Sequence, residues 1–456
     1  MQIVILGAGQ VGSSLAENLI KDGHQITIVD VLADKLQYLQ EHLDLRTVLG
    51  HCSYPDVLRK AGAQNADILI AVTNNDEANM IACQIAHSLF HTTTKIARIR
   101  SPHYLIRKEL FEKENVPIDV FISPEQLVTN QIKQLMQYPG SLQVLDFAED
   151  KIKLVAIKPY YGGTMLGKNL KELYIHIDIP MQIVAIFRNG YPIHLHASTT
   201  IEIGDEVFFI SAAENIPRVM SALKHPPDPY KNIMIIGGGN VGLTLAKALE
   251  KSYQVKLIDN NRHRCENLAD NLNYTTVLLG DGTDKSLLIN ENIGDMDMFC
   301  ATTNDDEVNI LSSIQAKRLG ATVALPLVKR TAYVDLIEGN DIHLAISPQL
   351  ATASAILTHI RKGDVERVYS LRHGAAEAIE AVAHGDKSTS KVVDRTLSEI
   401  NLPKNITIGA IARGDDVIVP TEKTRIQAND HIILFVADTK QIPKVEALFE
   451  VSASFF

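Results

Sequence analysis

Glycines at a fixed spacing near the start of the chain create a place for a charged ligand. The apolar run from Ile3 to Leu6 leads into Gly7, Gly9 and Gly12, giving the pattern Gly-x-Gly-x-x-Gly. In this pattern one glycine makes a tight turn, the next lets a pyrophosphate approach bare backbone, and the third lets a helix pack on a strand. Free N–H groups at the start of that helix would point at the phosphate. The loop residues predicted to contact a ligand are Gly7, Ala8, Gly9, Gln10, Val11 and Gly12.

An acidic residue ends the next apolar run. Ile26 to Val29 is predicted to be a second strand, and Asp30 follows it, 18 positions after Gly12 (30 − 12). A carboxylate at this place can accept hydrogen bonds from ribose hydroxyls. Strand, glycine loop, helix and acidic strand end together predict a mononucleotide-binding unit.

The whole pattern occurs twice. Gly237 lies 230 positions after Gly7 (237 − 7), and Asp259 lies 229 positions after Asp30 (259 − 30). A glycine turn without a ligand is the alternative for each copy, but the strand and helix around each motif favour binding. The residues predicted to bind in the second copy are Gly237, Gly238, Gly239, Asn240, Val241, Gly242 and Asp259.

Polar residues follow the fourth predicted strand of each copy. Thr73 and Asn74 come after the first, and Thr303 and Asn304 come after the second. Ligands of open α/β sheets lie beyond the carboxyl ends of the strands, so we expect these residues at the ligand edge. The neighbouring Asp76 and Glu77 are predicted to cap free N–H groups at the start of a helix and to favour its dipole, rather than to act in catalysis.

Two arginines on the fifth predicted strand carry a charge suited to phosphate. Lys95–Arg100 alternates, so Arg98 and Arg100 share one face and could meet a phosphate at the edge of the sheet. The same spacing also fits solvated surface charges, and the pattern leaves both interpretations open. In the second copy Leu327 replaces Arg98, and Pro326 removes a ladder donor, so we expect the two sites to differ.

Composition limits the class of protein. Apolar residues make up 46% of the 456 residues and charged residues 21%, which is typical of globular protein. The net charge of −10, with an isoelectric point near 5.9, argues against nucleic-acid binding. No apolar run reaches the roughly 18 residues that span a bilayer, so an intracellular chain without direct membrane insertion is expected.

The four cysteines show no Cys-x-x-Cys spacing and are predicted to be reduced thiols. His194 and His196 are read as a solvated strand face rather than as metal ligands.

The repeat predicts an α/β fold with two Rossmann-like, doubly wound parallel sheets, each followed by a small α+β domain. The second small domain matches the first in two places. Ala185–Gly190 resembles Ala410–Gly414, and Gly204–Glu206 resembles Asn429–His431. A proline-rich segment joins the halves. The predicted boundaries are 1–138, 139–224, a linker at 225–230, 231–362 and 363–452.

Taken in order, these features resemble the TrkA-type regulatory subunits of bacterial Trk potassium uptake. In that family two tandem RCK units each pair a Rossmann-type TrkA-N domain with a small TrkA-C domain, and the likeness covers the whole chain. Its carriers are the doubled glycine motif with its two aspartates, Gly280-Asp281-Gly282-Thr283, Thr73-Asn74 and Ala97-Arg98-Ile99-Arg100. The resemblance implies that these positions, Asp281 included, line nucleotide sites, with Arg98 near phosphate.

The resemblance also implies ligands and partners. The ligands are NAD(H) and ATP or ADP, and the assembly is a homotetrameric gating ring below a membrane potassium-translocating subunit of the TrkH or TrkG type. Such a chain is cytoplasmic and reaches the inner face of the membrane only through its partner. His51 stands where the family commonly has aspartate, so the first site departs from the pattern there. We expect the first site, with its arginines, to take the more highly charged ligand and the second to prefer NAD(H).

Two other classes of function share parts of this pattern. An NAD-dependent oxidoreductase would use the same fingerprint, but it also needs a substrate pocket with a proton-transfer group near the nicotinamide. Modules of about 80 residues leave little core for such a cleft. A redox sensor acting on DNA is opposed by the acidic balance. We therefore interpret the chain as a regulatory nucleotide-binding protein rather than an enzyme.

Overall fold

The computed structural model describes residues 1–112, 115–159, 165–223, 228–330, 333–334, 337, 342, 344–361, 364–371, 376–403 and 405–450. By internal contacts these form two compact units. One comprises Met1–Leu127 with Ser347–Leu357, and the other comprises Val128–Ile346 with the chain from Thr358 onward. Residues 225–227 of the predicted linker lie outside the described residues.

The first nucleotide-binding domain is a parallel six-stranded sheet with strand order 3-2-1-4-5-6. The order reverses between the first and fourth strands, which is the switch point where ligands bind in doubly wound sheets. The central strands bury both faces, as parallel strands covered by helices must. The strands are β1 (Gln2–Leu6), β2 (Gln25–Asp30), β3 (Arg46–Leu49), β4 (Ile68–Ala71), β5 (Thr94–Arg98) and β6 (Val120–Ile122). The helices are α1 (Gln10–Lys21), α2 (Ala33–His42), α3 (Pro55–Ala61), α4 (Asp76–Ile85), α5 (Pro102–Leu105) and α6 (Pro124–Gln137).

The second nucleotide-binding domain repeats this order with five parallel strands. Ile346 pairs with Leu327 as a single parallel bridge at the place of the predicted sixth strand. The strands are β12 (Asn232–Ile236), β13 (Gln254–Asp259), β14 (Thr276–Leu279), β15 (Met298–Ala301) and β16 (Val323–Pro326). The helices are α9 (Asn240–Leu249), α10 (Arg262–Asn271), α11 (Lys285–Asn290), α12 (Asp306–Arg318) and α13 (Pro348–Thr358).

Two helices leave the domain that precedes them in sequence. The later part of α6 places Val128, Ile132 and Leu135 in the core of the second nucleotide-binding domain. Most of α13, in turn, is grouped with the first unit. The helix that follows each sheet therefore contributes to the other unit.

The first small module is an antiparallel sheet with helices on one face. Its sheet order is β10-β9-β11-β8-β7, and sequence reasoning found three of these five strands. Its elements are β7 (Gln143–Phe147), β8 (Ile152–Ile157), α7 (Leu170–His176), β9 (Met181–Arg188), β10 (Tyr191–Pro192), β11 (Glu206–Ala212) and α8 (Ile216–Leu223).

The second small module has the matching order β17-β18-β21-β19-β20. The inner faces of the two small sheets share one core, in which Phe187 and Phe208 meet Phe435. A Cβ on Gly409 would lie 2.4 Å from Ile210, so the sheets approach closely there. The elements are β17 (Val365–Leu371), β18 (Ala376–Val382), β19 (Ile406–Arg413), β20 (Asp416–Ile418), β21 (His431–Val436) and α14 (Ile442–Phe449).

The observed architecture confirms the predicted fold class of two Rossmann-like sheets, each followed by a small α+β module. Among the helices of the described residues, none combines the length and the apolar character needed to cross a membrane.

Candidate functional site

The two glycine loops have the same backbone frame. Gly7 has φ +108° and Gly237 has φ +92°, values that L side chains rarely adopt. Further on, a Cβ on Gly12 would lie 1.9 Å from the Gly7 carbonyl oxygen, and one on Gly242 would lie 1.9 Å from that of Gly237. The first glycine therefore makes the turn, and the third lets α1 or α9 approach the strand.

The middle glycine of each loop lies beside open space. A Cβ built on Gly9 or on Gly239 meets no atom within 4 Å. Both residues have ordinary extended backbone, with φ −79° at Gly9 and φ −69° at Gly239. Folding does not require glycine at these two positions, so the bare backbone is free to serve a ligand.

Each strand-end aspartate holds its own glycine loop in place. Asp30 Oδ2 accepts the Ala8 N–H at 2.7 Å, and Asp259 Oδ2 accepts the Gly238 N–H at 2.7 Å. Their Oδ1 atoms accept the N–H groups of Leu32 and Asn261, both at 2.9 Å. A carboxylate oxygen has more than one acceptor position, so a ribose hydroxyl can still be bound. The sequence predicted the ribose role but not this positioning role.

A cation accompanies the second of these aspartates. Arg264 Nη1 lies 3.0 Å from Asp259 Oδ2, and the Asp259 side chain is 3% exposed. The Arg264 side chain is 46% exposed. Its guanidinium can therefore offset the charge of the carboxylate from the solvent side, without filling the space beside the glycine loop.

A buried asparagine organises the carboxyl end of the fourth strand. Asn79 Oδ1 accepts both the backbone N–H and the hydroxyl of Thr73, while its Nδ2 donates to the Arg98 carbonyl at 2.9 Å. Asn309 makes the same bonds to Thr303 and to the Leu327 carbonyl. Sequence reasoning gave these asparagines no role in the site, although their recurrence was the available signal. Asn74 and Asn304 are exposed beside this network.

The acidic residue that opens the fourth helix does not cap it. Asn75 is the N-cap, since its side chain accepts the Ala78 N–H at 2.6 Å. Asp76 instead accepts the N–H groups of Arg100 and Ser101 at 2.9 and 2.8 Å. The capping prediction for Asp76 was therefore wrong, because this carboxylate holds the turn that follows β5.

The two arginines of the first copy have different surroundings. Arg98 Nη2 donates to the Thr73 carbonyl at 2.6 Å, so its guanidinium lies at the ligand edge. Burial lowers the pKa of Arg98, and the like charge of Arg100 lowers it further. Arg100 lies just past β5 and pairs with the buried carboxylate of Glu125 at 2.8 Å. Arg98 therefore lies at the predicted ligand edge, whereas the charge of Arg100 is paired with that of a carboxylate.

The loops after the third strands form the same turn from different residues. In the second copy Asp281 Oδ1 accepts the N–H and the hydroxyl of Thr283. In the first copy His51 Nδ1 lies 2.8 Å from the Ser53 hydroxyl and faces its N–H at 3.4 Å. An imidazole nitrogen thus replaces a carboxylate oxygen as the organiser of the turn, which removes a negative charge from the first site.

The cysteines and paired histidines take no part in these sites as reactive groups. Burial raises the pKa of Cys52 to about 11 and the pKa values of Cys83 and Cys300 to about 12, so these thiols stay protonated. His194 and His196 are exposed and lie beyond β10, so their prediction as strand residues was wrong.

Two Rossmann-type domains with matched glycine loops, each followed by a small α+β module, define a class of tandem TrkA-N proteins. The TrkA-N domain description matches residues 3–124 and 233–348, and the TrkA-C domain description matches residues 386–450. The chain is 54% identical to the Trk system potassium uptake protein TrkA of Vibrio alginolyticus and 53% identical to that of Halomonas elongata. Each match covers 100% of both chains. The chain therefore belongs to the TrkA family of Trk potassium uptake systems, as its sequence features predicted.

Solved structures support the same fold. The RCK domain of GsuK matches with a TM-score of 0.62 at 19% identity, covering 98% of this chain and 95% of that one. The GsuK channel bound to NAD matches with a TM-score of 0.61 at 18% identity, covering 98% and 79%. Membership of this family favours a function in potassium uptake over the alternative of an NAD-dependent oxidoreductase.

Proposed function

We propose that this chain is the nucleotide-sensing regulatory subunit of its potassium uptake system. The observation that carries the proposal is the pair of aspartate-held glycine loops, each with open space at its middle glycine. The two loops lie in one chain but differ in charge at Arg98 against Leu327 and at His51 against Asp281. Two similar but unequal sites suit a protein that compares ligands rather than one that transforms them.

The proposed ligands are NAD(H) and ATP or ADP. Arg98 supports a ligand with more phosphate charge in the first site, because its guanidinium lies beside Thr73. In the second site the position of Arg98 is apolar, and Asp259 is already balanced by Arg264. This supports NAD(H) there. One structural relative is a channel described as bound to NAD.

The proposed partner is a membrane potassium-translocating subunit of the TrkH or TrkG type, contacted by a homotetrameric ring on the cytoplasmic face of the membrane. A ligand shifts such an equilibrium only through its different affinities for the two states. Moving a ring from 1:99 to 99:1 takes about 5.5 kcal/mol, or roughly 1.4 kcal/mol for each of four subunits. That is about a tenfold preference per subunit, which a few altered contacts can supply.

The first test places a methyl group where each pyrophosphate is proposed to lie. Gly9→Ala should weaken nucleotide binding at the first site at least about tenfold, and Gly239→Ala should do the same at the second, because each methyl displaces a charge-assisted hydrogen bond. Neither change meets a protein atom within 4 Å, so thermal stability should stay at the wild-type value. Calorimetric titration of ATP and NADH into the full chain measures both effects.

The same variants connect binding with transport. Each is co-purified with the membrane subunit, reconstituted into vesicles and assayed for potassium flux with and without nucleotide. The regulatory proposal expects normal assembly with a lost response to one ligand. Unchanged affinity for both ligands in both variants would refute the site assignment, and a flux response that survives the loss of binding would refute the gating role.

The second test concerns ligand preference. Arg98→Leu installs the residue that the second copy already tolerates at this place, with the same asparagine bond to its carbonyl. We expect ATP affinity at the first site to fall about tenfold, since one charge-assisted contact contributes roughly 1.5–3 kcal/mol, while NADH affinity changes less. Competition between ATP and NADH is titrated in chains that also carry Gly239→Ala, because that change weakens the second site and so isolates the first. Equal losses for ATP and NADH would contradict the proposed preference.

A further inference from the structure

Three side chains with metal-binding atoms meet on one face of the second small sheet. They are Glu366, Glu380 and His431, and their nearest ligand atoms all lie within 4.8 Å of one another. They come from β17, β18 and β21, which are neighbours in the sheet. None of the three is among the residues of the proposed nucleotide sites.

The register of the sheet explains this convergence. His431 pairs with Val382, and side chains alternate along a strand, so Glu380 faces the same side as His431. Between Val365 and Arg367 the register of β17 shifts by a bulge, which accommodates Glu366 as an extra residue. Bulges commonly turn a side chain toward a site, and this one brings Glu366 to the cluster.

The middle carboxylate is fully buried. Glu380 is 0% exposed, its Oε1 lies 2.7 Å from His431 Nδ1, and its Oε2 accepts the Ala148 N–H at 3.0 Å. The cluster brings two carboxyl groups and one imidazole together around this buried position, where uncompensated charge is costly. Arg367 lies nearby, but its Nη1 donates to the Asp146 carbonyl at 2.9 Å and lies 3.7 Å from Asp150.

We propose that Glu366, Glu380 and His431 form a binding site for a divalent transition-metal ion of the zinc type. Two carboxylates with a neutral imidazole offset the two positive charges of a divalent ion, and imidazole with carboxylate is a donor set that zinc accepts. Metal–ligand distances of about 2.0–2.2 Å place neighbouring ligand atoms roughly 3.3 Å apart. The separations of His431 Nδ1 from Glu380 at 2.7 Å and from Glu366 at 3.8 Å bracket this value.

The first small module provides a natural comparison. By strand register, its positions matching the three proposed ligands are Leu142, Ala156 and Glu206. Glu206 there lies 3.5 Å from Lys158, an ordinary ion pair. The metal-type donor set is thus specific to the second module and does not follow from the shared fold.

Metal binding at this site would also stiffen a turn of the first small module. Glu380 anchors the Ala148 N–H, and Ala148, Glu149 and Asp150 have successive left-handed φ values of 50°, 54° and 69°. Such backbone is costly for residues other than glycine and persists where its surroundings hold it. Fixing the Glu380 carboxylate on a metal ion therefore holds this turn more firmly.

The experiment is a zinc titration of the chelator-treated full chain by calorimetry. We expect one tight Zn²⁺ site per chain, weakened at least about tenfold by Glu366→Gln and further by His431→Gln. Glu366 has a side chain 48% exposed, so its variant should keep the wild-type circular dichroism and melting temperature. Glu206→Gln, at the matching position of the first module, and His384→Gln, in a neighbouring histidine–carboxylate pair, should bind zinc as the wild type does.

Hydrogen exchange gives an independent readout. Zinc should slow amide exchange around Ala148 in the wild type and leave it unchanged in Glu366→Gln. Equal zinc affinity and stoichiometry in the wild type, Glu366→Gln and His431→Gln would overturn the proposal. So would zinc binding that is lost with His384→Gln instead, or the absence of a tight site in the wild-type chain.

Discussion

Replacing Gly12 or Gly242 by alanine is expected to destabilise its nucleotide-binding domain by more than about 4 kcal/mol. The added Cβ would lie 1.9 Å from a backbone carbonyl oxygen, that of Gly7 or of Gly237, and neither atom belongs to a flexible side chain. Relief requires α1 or α9 to move away from the sheet that it covers, which opens the buried contacts of Leu15 or Leu245. Urea unfolding followed by circular dichroism measures the loss of stability. We expect the first unfolding transition to move to a lower urea concentration.

Gly9→Ala and Gly239→Ala are the matched controls, since they change the same loops without meeting any protein atom within 4 Å. The contrast separates the two uses of glycine in one motif, because the third glycine serves packing and the middle one serves the ligand. A midpoint for Gly12→Ala equal to that of Gly9→Ala would contradict the close approach of helix and strand.

Much of the fold followed from local sequence pattern. β1 reads as a continuous apolar run because both its faces are buried, and the glycine spacing marks the place where it meets α1. The repeat shows the same pattern twice, so the strand ends at Asp30 and Asp259 could be assigned by comparing the two copies. The sequence also predicts helices from Pro124 to Gln137 and from Ile216 to Leu223, and α6 and α8 have these bounds.

What was missed depends on partners distant in sequence. Arg100 has a pattern that fits phosphate binding, but that pattern does not show that Glu125, 25 positions later, pairs with it. The ligand role of Asp30 is a prediction from its spacing, whereas its bond to the Ala8 N–H depends on loop geometry. The β7 strand lies at the edge of its sheet, and the turn at Pro139-Gly140 that precedes it was not used to predict it.

Long-range exchange is the clearest limit. The apolar face of α6 predicts that the helix is buried, but it does not say which core covers it. Val128 and Ile132 are buried in the second nucleotide-binding domain, more than 90 residues further along the chain. Only the packed structure assigns that partner. The choice matters, because a helix exchanged in this way ties the fold of one unit to residues of the other half.

Removing Asp430 is expected to destabilise the second small module by about 3–5 kcal/mol. Asp430 is 0% exposed and accepts the Arg413 Nε and Nη2 hydrogens, both at 2.8 Å, together with the Gln427 N–H at 2.8 Å. In Asp430→Ala the guanidinium and the backbone N–H both lose their acceptor inside the module. The melting temperature and the urea midpoint of the full chain measure the effect.

The first module contains a twin that should respond less. Asp205 holds Arg188 in the same two-bond geometry, but Arg188 also donates to Glu202 at 2.5 Å. Since Glu202 can retain the guanidinium, Asp205→Ala should cost less than Asp430→Ala. Asp56→Ala supplies the surface control: its partner Arg59 is 61% exposed, so a change below about 1 kcal/mol is expected.

Replacing both members of the pair by apolar residues separates the effect of the two charges from the effect of the packing around them. Arg413→Met combined with Asp430→Leu removes both charges together, so the double variant should be closer to the wild type than Asp430→Ala is. Buried ion pairs are costly to break from one side, whereas apolar replacements of similar volume are often neutral. If Asp430→Ala and Asp56→Ala proved equally mild, the buried pair would contribute nothing to the module, and its recurrence in both copies would need another cause.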